Sequence, residues 1–547
     1  MEETQNIIPV LSEKKGRLNE FLFSWVKDNY DKYFLVIFGV AFLLRLWIFT
    51  KTFNQPLWWD EADYMSAAKN LGLNLNIQDI WYYRRGFLFA LLAAPFFTLG
   101  FGEIGIRFLE VLFSTGFIFV SYLLISKMFD KKLVLYSSIG LTFSWILLFF
   151  TGRVMTDIPA AFFILLSFLF LWKGYVLKEG DKFIYLAGAI FALAVLTRMQ
   201  SLMMVPAFMV PIFLKEKFKM FSNKKIWFGV LFFVLVLTPQ IYLYSQHYGN
   251  PIVDLGSHYL GIGESVSEGN ERTINSEILK YLFDLPYMLG TWVFYLLVFG
   301  VFYFFSDLVF GFDKIFQNEK VQNKFTVLFW ILCVFLVIGY INQADDANYV
   351  DQRYISVALP FLFLIAVSPL IKIEEIIGKN FDNKKTARII VILGLILLLI
   401  PNIMLAKSLL ENKADSYSEV RDAGLWIKEN SNPEDIIISS SLPQITYYSE
   451  RSTYPYDPGF YFGTKLGLNG FENYPADEEG FLKFVEDKKP KYIILSAFEV
   501  NPDWFSQYVQ SNSNLVPVKA YNNKDNQQVL IIYKFNYNGS VLSSINL

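Results

Sequence analysis

Two adjacent carboxylates, Asp60 and Glu61, follow a pair of tryptophans at the point where the first long apolar segment ends. A carboxylate at a partly dehydrated interface can act as a general base and accept a proton from a hydroxyl group. The same residues can instead satisfy the free N–H groups at the start of a helix, beside an aromatic belt. The sequence leaves both interpretations open.

A set of arginines lies at the ends of apolar segments. Arginine binds phosphate through a planar, bidentate fork and stays protonated, which suits a phosphate at membrane depth. Each arginine taken singly can also extend to lipid headgroups. Taken together, they favour a shared anionic ligand. The members of the set are Arg84, Arg85, Arg107, Arg153, Arg198 and Arg353.

Other acidic residues have two interpretations each. Asp157 either caps the helix that begins there, with Pro159 in its first turn, or orients one of the arginines. The acidic loop 345–351 is a solvated loop or, as a minor alternative, a cation site. With one cysteine and two histidines, the chain excludes an internal disulfide, a Cys-rich zinc site and a His-rich metal site.

The elements that position these residues cross a membrane. The 547 residues are 54% hydrophobic and 18% charged, against about 25% charged in soluble domains. This composition excludes disordered, collagen-like and ordinary cytosolic proteins. The net charge of −2 gives no basic field for nucleic acid.

Eleven apolar segments are long enough, or nearly so, to span a bilayer. A twelfth, 86–101, is short and contains Pro95, so we predict a helix on the membrane surface. The predicted spans are 33–50, 105–126, 133–150, 158–176, 183–197, 200–214, 226–246, 287–310, 325–341, 354–371 and 388–407.

Lysines concentrate in the N-terminal tail and in alternate loops, including 127–132, 215–225 and 372–385. The positive-inside rule then predicts a cytoplasmic N-terminus and an extracellular C-terminus at the plasma membrane. Three parts follow: a cytoplasmic tail (1–32), a transmembrane domain (33–410) with a first external loop (51–104), and an extracytoplasmic domain (411–547).

The extracytoplasmic domain alternates helix-like and strand-like patterns. Segments 435–441, 491–497 and 528–535 favour strands, and 419–430 and 477–489 favour amphipathic helices. We predict a small α/β domain. It carries no glycine-rich nucleotide-binding motif.

An ordered set of motifs resembles the polytopic glycosyltransferases of the GT-C fold, and most closely the protein O-mannosyltransferase and aminoarabinose-transferase-like group. The resemblance covers roughly residues 33–410. Its motifs are Asp60-Glu61, Trp81-Tyr82-Tyr83-Arg84-Arg85-Gly86, Gly102-Glu103-Ile104-Gly105-Ile106-Arg107, Gly152-Arg153-Val154-Met155-Thr156-Asp157-Ile158-Pro159-Ala160, Leu196-Thr197-Arg198-Met199-Gln200-Ser201-Leu202 and Asp351-Gln352-Arg353-Tyr354.

The resemblance implies transfer of a sugar, such as mannose, from a polyprenyl-phosphate carrier to a hydroxyl of a protein, glycan or lipid. Asp60 and Glu61 match the family's required acidic pair, with Asp60 as general base. Related chains often have proline or Lys-Pro in place of Arg85-Gly86, which leaves the phosphate contact within 84–85 unassigned. The predicted phosphate-binding residues are Arg84, Arg85, Arg353, Arg153 and Arg198, supported by Tyr83, Arg107, Asp157, Gln200 and Tyr354.

Direct displacement at the anomeric carbon inverts its configuration and needs no metal, because arginines stabilise the leaving phosphate. Two alternatives remain. One is a transporter or lipid flippase, although the sequence has no internal repeat and its polar residues cluster at one face. The other is an oligosaccharyltransferase-like GT-C enzyme, although the Trp58-Trp59-Asp60 sequence lies at the first span and not in the tail.

Overall fold

The computed structural model describes residues 25–75, 77, 86–248, 274–341, 350–456, 477–498 and 502–537. Most of the chain is helical, and a five-stranded sheet follows in the C-terminal part. Two of the long helices begin at clear sequence signals. Asp28 and Asp31 form a reciprocal capping box at the start of the first, and the Asn383 side chain caps the last long helix.

The first half of the chain forms ten helices among its described residues. Short 3₁₀ or π turns connect several of them, at 172–176, 199–204 and 217–222. The helices are α1 (Asn29–Thr52), α2 (Trp59–Leu73), α3 (Leu88–Thr98), α4 (Gly102–Ile125), α5 (Lys131–Phe143), α6 (Trp145–Thr151), α7 (Asp157–Leu171), α8 (Lys182–Thr197), α9 (Val205–Glu216) and α10 (Lys224–Tyr248).

Five longer helices follow before the sheet domain, and a 3₁₀ turn at 352–357 precedes the fourth of them. They are α11 (Ile274–Leu289), α12 (Thr291–Phe310), α13 (Glu319–Ile341), α14 (Leu359–Asn380) and α15 (Lys384–Asn412).

Helices occupy all eleven segments predicted to span the membrane. Among the described residues, seven are long and apolar enough to cross a bilayer, and the bent pair α5–α6, which turns by 49°, makes an eighth. Helix α8 is apolar but shorter. The multi-span helical fold is confirmed, whereas the count of eleven and the orientation remain predictions. Helix α3 occupies the segment 86–101, and its place on the membrane surface stays a prediction.

Glycines allow the closest helix contacts in the bundle. A Cβ added to Gly188 of α8 would lie 1.9 Å from the carbonyl oxygen of Gly229 in α10, and one added to Gly300 of α12 would lie 2.1 Å from that of Ile365 in α14. Membrane helices associate through close van der Waals packing, because lipid offers no hydrophobic driving force between them. Any larger side chain at these glycines would separate the helices.

The C-terminal domain is a sheet with helices on both faces. Strands β2, β1 and β3 are parallel, and β5 and β4 add antiparallel pairs in the order β2-β1-β3-β5-β4. Its elements are α16 (Ser418–Asn430), β1 (Ile437–Ser439), α17 (Leu442–Ser449), β2 (Thr453–Tyr454), α18 (Glu478–Lys488), β3 (Tyr492–Ser496), α19 (Asp503–Ser511), β4 (Leu515–Asn522) and β5 (Gln528–Phe535).

Successive side chains of each strand point to opposite faces of the sheet, so the strands bury residues against helices on both faces. Ile438 and Ile493 pack with residues of α18 and α19 on one face, whereas Ile437 and Ile494 pack with α16 on the other. The α/β domain predicted from the sequence is therefore present. Strands β2 and β4 were not predicted, because β2 has two residues and β4 is mostly exposed and interrupted by Pro517.

This domain holds the helix that carries Asp60. The Tyr448 hydroxyl accepts a hydrogen bond of 2.9 Å from the buried Leu57 N–H, three residues before Asp60. Lys69 of α2 forms an ion pair of 2.7 Å with Glu450. Burial raises the pKa of Glu450, but hydrogen bonds from Lys428 and Lys69 lower it below the ordinary value of a glutamate. The contact thus positions α2 from outside the membrane domain.

We expect Tyr448→Phe to lower the free energy of unfolding by about 1–3 kcal/mol, because the buried Leu57 N–H loses its acceptor. Thermal unfolding in detergent measures this change. The same substitution at Tyr242, which is 61% exposed, serves as the control. An unfolding temperature equal to that of the control would show that this hydrogen bond contributes nothing.

Candidate active site

Asp60 faces a large cavity between the membrane helices and the C-terminal domain. Its volume is about 1470 Å³, including the part open to solvent. Half of its lining residues are aromatic. We call it the catalytic cavity, and it is lined by Trp58, Trp59, Asp60, Trp145, Phe149, Phe150, Met155, Tyr287, Asp351, Gln352, Arg353, Leu409, Lys413, Ser416, Tyr417 and Phe498.

Arg353 connects three carboxylates. Its Nη2 lies 2.9 Å from Oδ2 of Asp60, and its Nε lies 2.7 Å from Oδ2 of Asp351 and 3.7 Å from Oδ2 of Asp157. The Arg353 side chain is 12% exposed. Burial alone lowers the pKa of its guanidinium, but the neighbouring carboxylates of Asp157, Asp351 and Asp60 raise it above the ordinary arginine value. The cation is therefore permanent.

The 3₁₀ turn at 352–357 carries Arg353, and contacts at the start of the turn hold it in place. The Asp351 side chain caps the turn by accepting the Arg353 N–H, and the Asp351 N–H donates to the Tyr281 hydroxyl at 3.1 Å. Burial raises the pKa of Asp351, and Arg353 opposes that rise. Gln352 donates to Asp284 at 3.3 Å. Contacts with α11 thus hold the start of the turn.

A second cavity begins on the other side of Arg353. Asp157 Oδ1 lies 2.9 Å from Nη1 of Arg198, so Asp157 joins the two arginines. We call this space, of about 560 Å³ with its opening, the arginine cavity. Its polar lining consists of Asp157, Arg198, Gln200, Ser201, Arg353, Tyr354 and Ser356, and its apolar lining of Ala160, Ile164, Met204, Val334, Val337, Ile338 and Val357.

Arg353 lines both cavities, so the two spaces meet at one guanidinium. The arginine cavity has a polar end at the first turn of α7 and apolar walls farther along α7 and α13. This arrangement suits an amphipathic ligand with an anionic head and an apolar tail. The catalytic cavity, with Asp60, lies beyond the head of such a ligand.

Glu61 is fully buried, and its partners lie within the protein. It accepts from Arg153 at 2.9 Å, from the Val154 N–H at 2.7 Å and from the Trp58 N–H at 2.7 Å. Arg153, which is 1% exposed, also donates to Gln55 and stacks on Trp58 at 3.8 Å from the ring centroid. Glu61 and Arg153 therefore hold the start of α2, and neither lines the two cavities.

Breaking this pair is expected to destabilise the protein strongly. Glu61→Gln leaves the Arg153 guanidinium buried without a counter-charge, so the free energy of unfolding should fall by about 3–5 kcal/mol. Unfolding in detergent measures it. The double variant Glu61→Gln/Arg153→Gln removes both charges and should recover part of the loss. Equal stability of Glu61→Gln and the wild type would contradict this role.

The remaining predicted residues divide into three groups. Arg107, 1% exposed, donates to the carbonyls of Gly152 and Gln55 at 2.7 and 2.8 Å, so it braces two loops. Gln200 and Tyr354 line the arginine cavity, as expected for supporting residues. Residues that lie outside the described part of the chain are Tyr83, Arg84, Arg85 and the loop segment 345–349.

Gly86 lies too close to a neighbouring backbone segment for a residue with a side chain. A Cβ there would lie 2.0 Å from the carbonyl oxygen of Leu196, two residues before Arg198. Only glycine allows this approach. The backbone at Gly86 is therefore held beside the loop that carries Arg198.

Sequence reasoning missed most residues of the catalytic cavity, among them Gln352, Lys413, Tyr417 and Phe498. Gln352 adjoins Arg353 and could have been included for that reason. The other three come from the end of α15 and from the C-terminal domain, and no local pattern places them near Asp60. Within the described ranges, no three His, Cys, Asp or Glu side chains form a group able to hold a metal ion.

Residues 84–243 match the sequence model of the dolichyl-phosphate-mannose-protein mannosyltransferase family. This region contains α3 to α9 and most of α10, and therefore Asp157 and Arg198. A search of curated proteins finds no match.

Solved structures resemble the whole chain. ArnT from Cupriavidus metallidurans, bound to undecaprenyl phosphate, superimposes with a TM-score of 0.60 at 13% identity, covering 93% of this chain and 98% of ArnT. The oligosaccharyltransferase AglB from Archaeoglobus fulgidus, in complex with an inhibitory peptide and a dolichol-phosphate, gives a TM-score of 0.54 at 12% identity, covering 94% of this chain and 76% of AglB. The predicted GT-C fold with a C-terminal sheet domain is confirmed.

Proposed function

We propose, from the GT-C fold and the mannosyltransferase family match over residues 84–243, that the chain is an inverting glycosyltransferase. It transfers a hexose from a polyprenyl-phosphate carrier to a hydroxyl of a protein, glycan or lipid. The reaction takes place at the outer face of the plasma membrane, with the N-terminus in the cytoplasm. The observation that carries the proposal is the position of Arg353 between the catalytic cavity and the arginine cavity.

The arginine cavity receives the donor's phosphate. Arg198 and Arg353 supply a pair of guanidinium groups on either side of Asp157, and apolar side chains of α7 and α13 follow for the tail. Charge develops on the phosphate as it leaves. Fixed cations in a buried site stabilise that charge without reorganisation, at about 2.7–4 kcal/mol for each donor.

The catalytic cavity then holds the sugar and the acceptor. Arg353 is bound to Asp60 at 2.9 Å. A phosphate competes for the same guanidinium and leaves the Asp60 carboxylate available to the acceptor. The acceptor oxygen bonds to the anomeric carbon, the bond from that carbon to the phosphate oxygen breaks, and Asp60 takes the hydroxyl proton. Glu61 and Arg153 act only by positioning Asp60.

The purified protein with a polyprenyl-phosphate mannose provides the test of function. We expect release of polyprenyl phosphate, slowly to water and faster when an acceptor is present, and a product of inverted anomeric configuration. Transport of the lipid between leaflets without cleavage would favour the flippase alternative. Retention of configuration would contradict the direct displacement.

A further inference from the structure

A third apolar space lies beyond the arginine cavity, between α7, α8, α9 and α10. It has a volume of about 850 Å³ with its opening, and its lining surface is entirely apolar. The single hydroxyl in the lining, that of Ser167, is turned into a hydrogen bond of 2.7 Å with the Ala187 carbonyl. We call this space the distal groove.

The distal groove and the arginine cavity lie along the same face of α7. Asp157, Ala160 and Ile164 line the arginine cavity, and Ser167 and Leu171 line the groove. These positions are spaced by three and four residues, so they lie one above another on α7. From Asp157 to Ser167 the helix rises about 15 Å, which is about half the hydrocarbon thickness of a bilayer.

A second wall, at the start of α9, shows the same succession of residues from the arginine cavity to the groove. Met204 belongs to the arginine cavity, and Val205 and Phe208 belong to the groove. The Phe208 ring packs against Phe168 and Phe191 at centroid distances of 5.2 and 4.7 Å. This aromatic wall is the part of α9 nearest the arginine cavity, so a chain leaving that cavity meets it first.

The helices around the groove are held at close spacing. Gly188 and Gly229 both line it, and their backbones are in contact. The groove is thus a preformed shape between closely packed helices. A chain seated there gains van der Waals contacts that a mobile bilayer does not offer.

We propose that the distal groove binds the distal isoprene units of the donor's own lipid tail, and so makes the enzyme select long polyprenyl carriers. The proposal rests on the proposed function, because the tail is anchored by its phosphate at Arg198 and Arg353. A tail shorter than about 15 Å ends within the arginine cavity and does not reach the groove.

A matched pair of variants tests this assignment. Val230 lines the groove and is 42% exposed, whereas the next residue, Leu231, is 47% exposed and lies outside it. V230W fills the groove, and L231W adds the same ring to the lipid-facing surface. The measurement is kcat/KM for undecaprenyl-phosphate mannose and for geranyl-phosphate mannose in detergent.

We expect V230W to lower kcat/KM about tenfold for the undecaprenyl donor only. This is the factor expected when the lipid tail loses roughly ten atomic contacts with the groove. L231W keeps the wild-type preference, and V230F, with a smaller ring, falls between the two. Activity with the geranyl donor shows that each variant is folded. An undiminished long-chain preference in V230W would assign the groove to bulk lipid and overturn the proposal. No turnover of either donor by the wild type would contradict the proposed function itself.

Discussion

Asp60→Asn is expected to reduce the transfer rate by about a thousandfold, the middle of the range for loss of a general base. The amide has nearly the same size and can still accept the Arg353 hydrogen bond at 2.9 Å. It cannot take a proton from the acceptor hydroxyl. The loss should therefore lie in kcat, with donor affinity close to that of the wild type.

The measurement is release of polyprenyl phosphate at saturating donor, together with donor binding to the same preparation. Asp422→Asn makes the same change at an exposed residue of the C-terminal domain, and should behave as the wild type. Full activity of Asp60→Asn would show that another group, or water, receives the proton.

Arg353→Ala is expected to weaken donor binding by about 100-fold, because the phosphate loses a buried bidentate cation. Arg353→Lys keeps the charge but not the planar fork, and should restore only part of the affinity. Arg353→Ala also leaves Asp60, Asp157 and Asp351 without their shared partner.

Binding of polyprenyl phosphate, followed by titration in detergent, measures the effect. Unfolding temperatures identify a variant that has lost its fold. Arg421→Ala, in the C-terminal domain, is the control, since the Arg421 side chain donates to Asp422 and the Asn54 carbonyl and lines neither cavity. An unchanged dissociation constant in Arg353→Ala would remove this residue from the phosphate site.

The adjacent carboxylates show how far sequence reasoning reaches. The structure gives the two residues of the pair at the start of α2 different surroundings. Glu61 accepts the Trp58 N–H as a helix cap, and Asp60 faces the catalytic cavity. The motif predicts both roles but cannot divide them. The division depends on Arg153, which is distant in sequence and approaches Glu61 only in the folded bundle.

The arginines also have different surroundings that the sequence alone does not distinguish. Composition and loop position pointed to Arg107, Arg153, Arg198 and Arg353 together, because each lies at the end of an apolar segment. In the structure, Arg107 and Arg153 are buried among protein partners, whereas Arg198 and Arg353 line a cavity. Hydropathy locates a charge near the interface, but only tertiary contacts decide whether it meets a ligand.

The C-terminal domain was predictable as a fold but not as part of the site. Periodicity indicated β5 and α16 almost to the residue. Tyr417 and Phe498 line the catalytic cavity because the C-terminal domain docks onto the start of α2 through Tyr448 and Glu450. These contacts join residues that are far apart in the sequence. No local pattern records it.

A structure of the protein with bound polyprenyl phosphate tests the central claim most directly. We expect a phosphate within hydrogen-bond distance of Arg198 and Arg353, and an Asp60–Arg353 separation larger than 2.9 Å. A phosphate bound away from both arginines, with the Asp60–Arg353 ion pair intact, would contradict it.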